Sequence, residues 1–165
     1  MSQKRPHASA SSDRSKKLKQ ALDEARNIER QRKSAQKTRG LSKMLPEAPP
    51  PGIAFLDMDG VPHAFDSGLK RLAASYLSRR KVFWRYRPFP FPLFTSSGRE
   101  QEFHFDFYIY DNMGTILALI VVVPSESREL WDRLGRFKRQ YSMYTYHVWT
   151  PQKMAELFQG KRVKL

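Results

Sequence analysis

The chain has 165 residues, enough for one compact domain, and carries 30 Lys and Arg against 16 Asp and Glu, a net charge of +14. This surplus favours a polyanionic partner, DNA before RNA; no membrane partner is expected, because no run approaches about eighteen apolar residues. The lack of cysteine excludes disulfides, cysteine-based zinc sites and thiol catalysis, and the polar N-terminus predicts a cytoplasmic, nucleic-acid-associated protein.

The N-terminal part is predicted to be a basic arm. Residues 1–50 contain 13 Lys and Arg against 5 acidic residues. Their apolar residues form a stripe too thin for a helix that is stable alone, so residues 1–45 are predicted to be disordered or helical only in part. The proline-rich residues 46–52 predict a stiff linker, and residues 53–165 a folded domain. The predicted nucleic-acid contacts of the arm are Lys16, Lys17, Lys19, Arg30, Arg32 and Lys33.

The domain is predicted to begin with a helix and a strand. Asp66 or Ser67 can cap the helix, whose apolar residues recur on one face and which should end near Arg80. VFWRYR at 82–87 alternates apolar and basic residues, as a half-buried strand does. The three prolines that follow, at positions 88, 90 and 92, are predicted to forbid regular pairing, so that a kinked crossing or a sheet edge is expected there.

A hairpin is predicted next. FHFDFYIY at 103–110 and TILALIVVV at 115–123 read as two strands, and residues 111–114 between them have turn chemistry. The second strand is apolar on both faces, which predicts a central position in a sheet.

The remaining elements are a helix, a strand and a short helix. Ser125 is predicted to cap the first helix, which runs to Gln140, and YTYHVW at 144–149 predicts the strand. Thr150 and Pro151 suit the start of the last helix, with Gly160 at its end. The whole order predicts an α/β fold with a mixed four-stranded sheet flanked by helices.

FLDMDGV at 55–61 has two aspartates after an apolar run and is similar to the nucleophile motif of haloacid-dehalogenase-type phosphatases. LFTSSG at 93–98 is similar to the hydroxyl motif of that family. Those enzymes also need a positioned lysine and a later acidic pair for magnesium, which the rest of the chain does not supply in order. Residues 55–61 are therefore predicted to be a polar turn.

A second resemblance follows from the element order. SGLKRLAASYLSRRKVFWRYRPFPFPL resembles the first helix and strand of the PD-(D/E)XK, or restriction-endonuclease-like, nucleases, and FHFDFYIYDNMGTILALIVVVPSES resembles their catalytic hairpin. The similarity covers residues 64–150 and is to the transposon-end and restriction-type members. It implies an αβββαβ core.

This resemblance also implies which positions would carry the chemistry. Such nucleases hold Mg²⁺ with an aspartate and a glutamate, and a lysine activates the attacking water. Asp106 stands at the aspartate position, whereas Val121 and Val123 stand at the glutamate and lysine positions and Lys70 replaces the acid of the first helix. Lys138 is the best substitute for the missing lysine. A degenerate site with no cofactor is therefore expected, with Mg²⁺ at Asp106 only if the protein is active.

Asp106 also has a structural interpretation, in which it pairs with Arg85 or Arg87. The domain residues predicted to contact nucleic acid are Arg79, Arg80, Lys81, Arg85, Arg87, Arg133, Arg136 and Arg139.

The function expected from the sequence is DNA binding on an inactive nuclease fold, as an accessory factor of a mobile element or plasmid, with a protein partner in a nucleoprotein complex. An active metal-dependent endonuclease with an atypical site and an RNA-associated structural protein are the two alternatives.

Overall fold

The computed structural model describes residues 19–20, 22–30, 33, 40 and 44–160. The chain divides into two compact units, Met1–Ser42 and Lys43–Leu165. The described residues of the first unit are helical, and Lys19, Arg30 and Lys33 are exposed there. Lys16, Lys17 and Arg32 lie outside the described residues. Within the described parts, no helix is both long and apolar enough to cross a membrane.

The second unit contains three helices and eight strands among its described residues. The helices are α1 (Gly68–Arg79), α2 (Arg128–Gln140) and α3 (Pro151–Phe158). The strands are β1 (Ala54–Leu56), β2 (Pro62–Ala64), β3 (Phe83–Tyr86), β4 (Phe91–Phe94), β5 (Glu100–Phe103), β6 (Phe107–Tyr110), β7 (Ile116–Val122) and β8 (Tyr146–Trp149).

A mixed four-stranded sheet with the order β3-β6-β7-β8 forms the centre of this unit. Strands β3, β6 and β7 are antiparallel, and β8 runs parallel to β7 because helix α2 connects the two. One apolar cluster joins one face of the sheet to α1 and α3, and a second joins the other face to α2. The predicted mixed sheet flanked by helices is confirmed.

Side-chain caps set the helix limits. Helix α1 begins after Ser67 and has Arg80 as its C-cap, and α3 begins after Thr150, as predicted. The prediction for α2 was wrong by two residues, because Ser127 rather than Ser125 accepts the hydrogen bond from the backbone of Leu130, at 3.1 Å.

The predicted single strand at 103–110 is wrong. Phe103 pairs with Phe91 in a separate two-stranded sheet of β4 and β5, whereas Phe107 pairs with Tyr86 in the central sheet. The chain therefore changes sheets at residues 104–106, and Asp106 lies just before β6 instead of in the middle of a strand.

Pairing of the proline-rich segment was also missed. Pro92 lies within β4 opposite Glu102, in a sheet whose other edge has no strand among the described residues. A proline is tolerated there because its missing N–H removes no ladder bond on the free side. Regular pairing therefore occurs in spite of the prolines, and the expected edge position is confirmed.

Residues 55–61 are more ordered than a simple turn, because they include the end of β1 and the turn of the hairpin that β1 forms with β2.

Residues 46–52, predicted as a linker, are held to the domain by Arg71, which is buried and donates to the carbonyl of Pro49 at 2.6 Å. Among the residues that the structure describes, two other than glycine have left-handed backbone: Lys81 with φ 53° and Arg87 with φ 46°.

Candidate anion-binding site at the start of strand β6

Asp106 is buried at the point where the chain enters the central sheet, with only 2% of its side chain exposed. Its Oδ2 accepts a hydrogen bond from the backbone N–H of Val122 at 2.8 Å, which ties it to β7. Its Oδ1 contacts two cations: Lys70 Nζ at 2.8 Å and Arg87 Nη2 at 2.7 Å. The predicted pairing with an arginine is confirmed for Arg87, and both carboxylate oxygens are engaged.

Lys70 comes from the first turn of α1, and Arg87 follows β3 directly. Tyr86 lies between them: its hydroxyl accepts from Lys70 Nζ at 3.2 Å, and both cations lie over its ring, 5.5 and 5.3 Å from the centroid. The side chain of Lys70 is 20% exposed and that of Arg87 is 43% exposed. We call Lys70, Tyr86, Arg87 and Asp106 the Asp106 cluster; its net charge is +1.

The cluster keeps hydrogen-bond donors free for a ligand. Arg87 uses its Nε and Nη2 atoms on Asp106, and its Nη1 is not engaged in any hydrogen bond within the described residues. An ammonium group has three donors, of which Lys70 uses two. A partly exposed group of donors with a net positive charge can bind an oxyanion.

A second ionic group lies beside the Asp106 cluster, on the β1–β2 hairpin. The Oδ2 of Asp57 lies 2.9 Å from Nε2 of His63, and its Oδ1 accepts from the backbone of Asp59 and Val61, each at 2.9 Å. Burial opposes ionisation of Asp57, but these hydrogen bonds outweigh it and lower its pKa. The His63 ring lies 5.6 Å from that of Tyr86, so the two groups are neighbours.

Arg85 forms an ion pair with the same β1–β2 hairpin. Its guanidinium donates to both carboxylate oxygens of Asp59, at 2.5 and 3.0 Å, and it lies over the Tyr110 ring. The bond to Asp59 raises the pKa of Arg85, which stays charged. Its charge is therefore largely compensated, unlike that of the Asp106 cluster.

The other positions implied by the nuclease resemblance do not join the Asp106 cluster. Val121 and Val123 pack in the apolar cluster on the α2 face, whereas α1, which carries Lys70, packs on the opposite face. Lys138 lies on α2 and lines a groove of about 570 Å³ beside β8, with Trp131 and Glu126. Asp106 and Lys70 are thus brought together, and the two valines and Lys138 are not.

The donor set of the Asp106 cluster does not fit a divalent cation. A magnesium site needs several oxygen ligands, and here the one carboxylate is held by two positive groups. Across the described ranges, no three His, Asp or Glu side chains come together in a way that could hold a metal ion. No protein-family model, curated protein or solved structure matches the chain.

The basic residues predicted to contact nucleic acid lie on different helices and differ in how exposed they are. Arg79, Arg80 and Lys81 are exposed together at the end of α1. On α2, Arg133 pairs with Glu129 and Arg136 is half-buried, whereas Arg139 is exposed. Residues 44–160 contain 14 Lys and Arg against 12 Asp and Glu, so most of the +14 charge lies in residues 1–43 and 161–165.

Sequence reasoning placed Tyr86 on the binding surface only as a stacking residue, and it missed the Asp57–His63 pair. FLDMDGV drew attention to Asp57, but as a phosphatase nucleophile. The available signal was His63 itself, since a hairpin around the turn brings it back toward Asp57.

Proposed function

We propose that this protein binds nucleic acid, DNA in preference to RNA, on a restriction-endonuclease-like core that does not cut. The order of helix, three antiparallel strands, helix and parallel strand supports the fold proposal. The carrying observation is the Asp106 cluster, in which Lys70 and Arg87 contact the carboxylate that a nuclease would use for metal.

In this proposal, the side chains of Lys70 and Arg87 take the place that a metal ion has in a nuclease. A metal nuclease neutralises the phosphate with Mg²⁺, whereas here an ammonium and a guanidinium would contact a phosphate oxygen directly. Neither group is placed to activate a water molecule, because both donate to the carboxylate of Asp106. The basic terminal segments would add contacts that do not depend on sequence.

Fluorescence anisotropy with a short blunt DNA duplex tests the proposal. The triple variant Lys70→Gln/Arg87→Gln/Asp106→Asn removes all three charges of the cluster, so no unpaired ion is left buried. We expect it to lose about tenfold in affinity, the loss that follows from removing a charge-assisted contact. The matched control is Arg99→Ala, an exposed arginine whose loss changes the net charge equally; it should lose about twofold.

A cleavage assay distinguishes the alternatives. Supercoiled plasmid incubated with the protein and Mg²⁺ or Mn²⁺ should stay intact, and cutting that disappears in Asp106→Ala would overturn the proposal in favour of an active nuclease. Competition with an RNA duplex of the same sequence separates the third possibility: tighter binding of RNA would point to an RNA-associated protein.

A further inference from the structure

A small cleft lies between the end of α1 and the end of α3, away from the Asp106 cluster. It has a volume of about 240 Å³ and is lined by Tyr76, Arg79, Arg80, Leu157, Phe158 and Gly160. This volume is below the range of about 300–1,000 Å³ usual for drug-sized ligands. A cleft of this size can take a group as large as a single nucleobase but not a base-paired segment.

The rim of the cleft is cationic. Arg79 and Arg80 are exposed, and neither has a carboxylate within ion-pair distance in the part of the chain that the structure describes. Lys81 follows them and is also exposed. Three successive cations at one helix end therefore carry charge that no carboxylate among residues 44–160 compensates.

The wall of the cleft is aromatic and apolar. Tyr76 and Phe158 are in edge-to-face contact with centroids 5.5 Å apart, and the Arg80 guanidinium lies over the Tyr76 ring at 5.4 Å. Leu157 is buried beneath them. Aromatic and guanidinium planes beside free cations are the combination that binds an unpaired base together with its phosphate.

We infer that this cleft binds one unpaired nucleotide, with its base against the guanidinium of Arg80 and the ring of Phe158 and its phosphate on Arg79 or Lys81. The protein would then recognise a junction of duplex and single strand, with the duplex phosphates on the Asp106 cluster. This inference rests on the proposed function, because it assigns a second subsite to the same ligand.

The experiment compares two labelled DNA probes on the full chain: a blunt duplex, and the same duplex with a short single-stranded overhang. The wild type should bind the overhang probe about tenfold more tightly, since stacking one base contributes a gain of that order. Arg79→Ala/Arg80→Ala should lose this preference. The control Arg99→Ala/Arg128→Ala removes the same charge from exposed positions and should weaken both probes equally while keeping the ratio.

The two proposals fail in different ways. Equal binding of both probes by the wild type, or a preference that survives Arg79→Ala/Arg80→Ala, overturns the cleft and leaves the Asp106 cluster intact. Failure to bind either probe at low salt overturns the proposed function as well. Circular dichroism and a thermal melt establish that each variant is folded.

Discussion

Arg87 contacts Asp106 through both its backbone and its side chain: its N–H donates to the Asp106 carbonyl at 3.1 Å, and its guanidinium donates to Oδ1. The N–H of Asp106 in turn donates to the carbonyl of Ile120 at 2.8 Å. Asp106 thus joins the segment after β3 to β7 at the point where the chain enters the central sheet. The Asp106 cluster therefore stabilises the sheet in addition to being a candidate binding site.

Asp106→Asn is expected to lower the free energy of unfolding by about 2–3 kcal/mol, less than for a fully buried pair because Arg87 is partly exposed. Urea denaturation measures this loss. The same variant should bind duplex DNA at least as tightly as the wild type, because the net charge of the cluster rises from +1 to +2. Weaker binding by a folded Asp106→Asn protein would contradict the role given to Lys70 and Arg87.

Arg71→Ala is expected to destabilise the domain by about 3 kcal/mol. The guanidinium donates to the carbonyls of Pro49, Phe65 and Asp66 at 2.6, 2.8 and 2.7 Å, all of which would lose a donor. Urea denaturation gives the change, and limited proteolysis should cut residues 46–52 faster. Arg71→Lys should recover only part of the loss, since an ammonium lacks the fork geometry; full recovery would show that charge alone matters.

Asp57 should make stability depend on pH in the acid range. Its folded pKa is lowered from 3.8, so its contribution is present above pH 3.8 and is lost as the pH falls through the lower folded value. Asp57→Asn should therefore cost about 1 kcal/mol near neutrality, and the difference from the wild type should vanish in strong acid. Thermal melts across this range measure it; Asp66→Asn, at an exposed position, serves as the control.

The N-terminal residues should dominate the salt dependence of DNA binding. Residues 1–42 carry 12 Lys and Arg against 4 acidic residues. Their deletion should reduce the slope of log affinity against log salt by about four, as expected from losing about five phosphate contacts. Titrations at several salt concentrations measure the slope. An unchanged slope would place the electrostatic contacts on the domain.

The helices could be predicted because their signals are local. Ser67 and Thr150 are capping residues next to apolar periodicity, and both caps are formed as expected. The start of α2 was misplaced because Ser125 and Ser127 are both suitable caps.

The strand errors have a tertiary origin. FHFDFYIY reads as one strand because its apolar residues continue through Asp106, and the break depends on Phe103 and Phe107 having partners in different sheets. The contact between Lys70 and Asp106 has no local signal either, since it depends on how α1 lies against the start of β6. The resemblance to the nucleases placed Lys70 and Asp106 near one site together with Val121 and Val123. The two valines are elsewhere because side chains alternate between the two faces of a strand, and theirs pack on the α2 face.

Lys81 and Arg87 each hold a backbone conformation in which glycine would relieve about 1 kcal/mol of strain. Lys81 closes the end of α1, a place where glycine is the usual residue, and Arg87 follows β3. Both positions carry a cation instead, one beside the cleft and one in the Asp106 cluster. Glycine at position 81 would therefore stabilise the backbone by about 1 kcal/mol, whereas glycine at position 87 would also remove the ion pair with the buried carboxylate of Asp106.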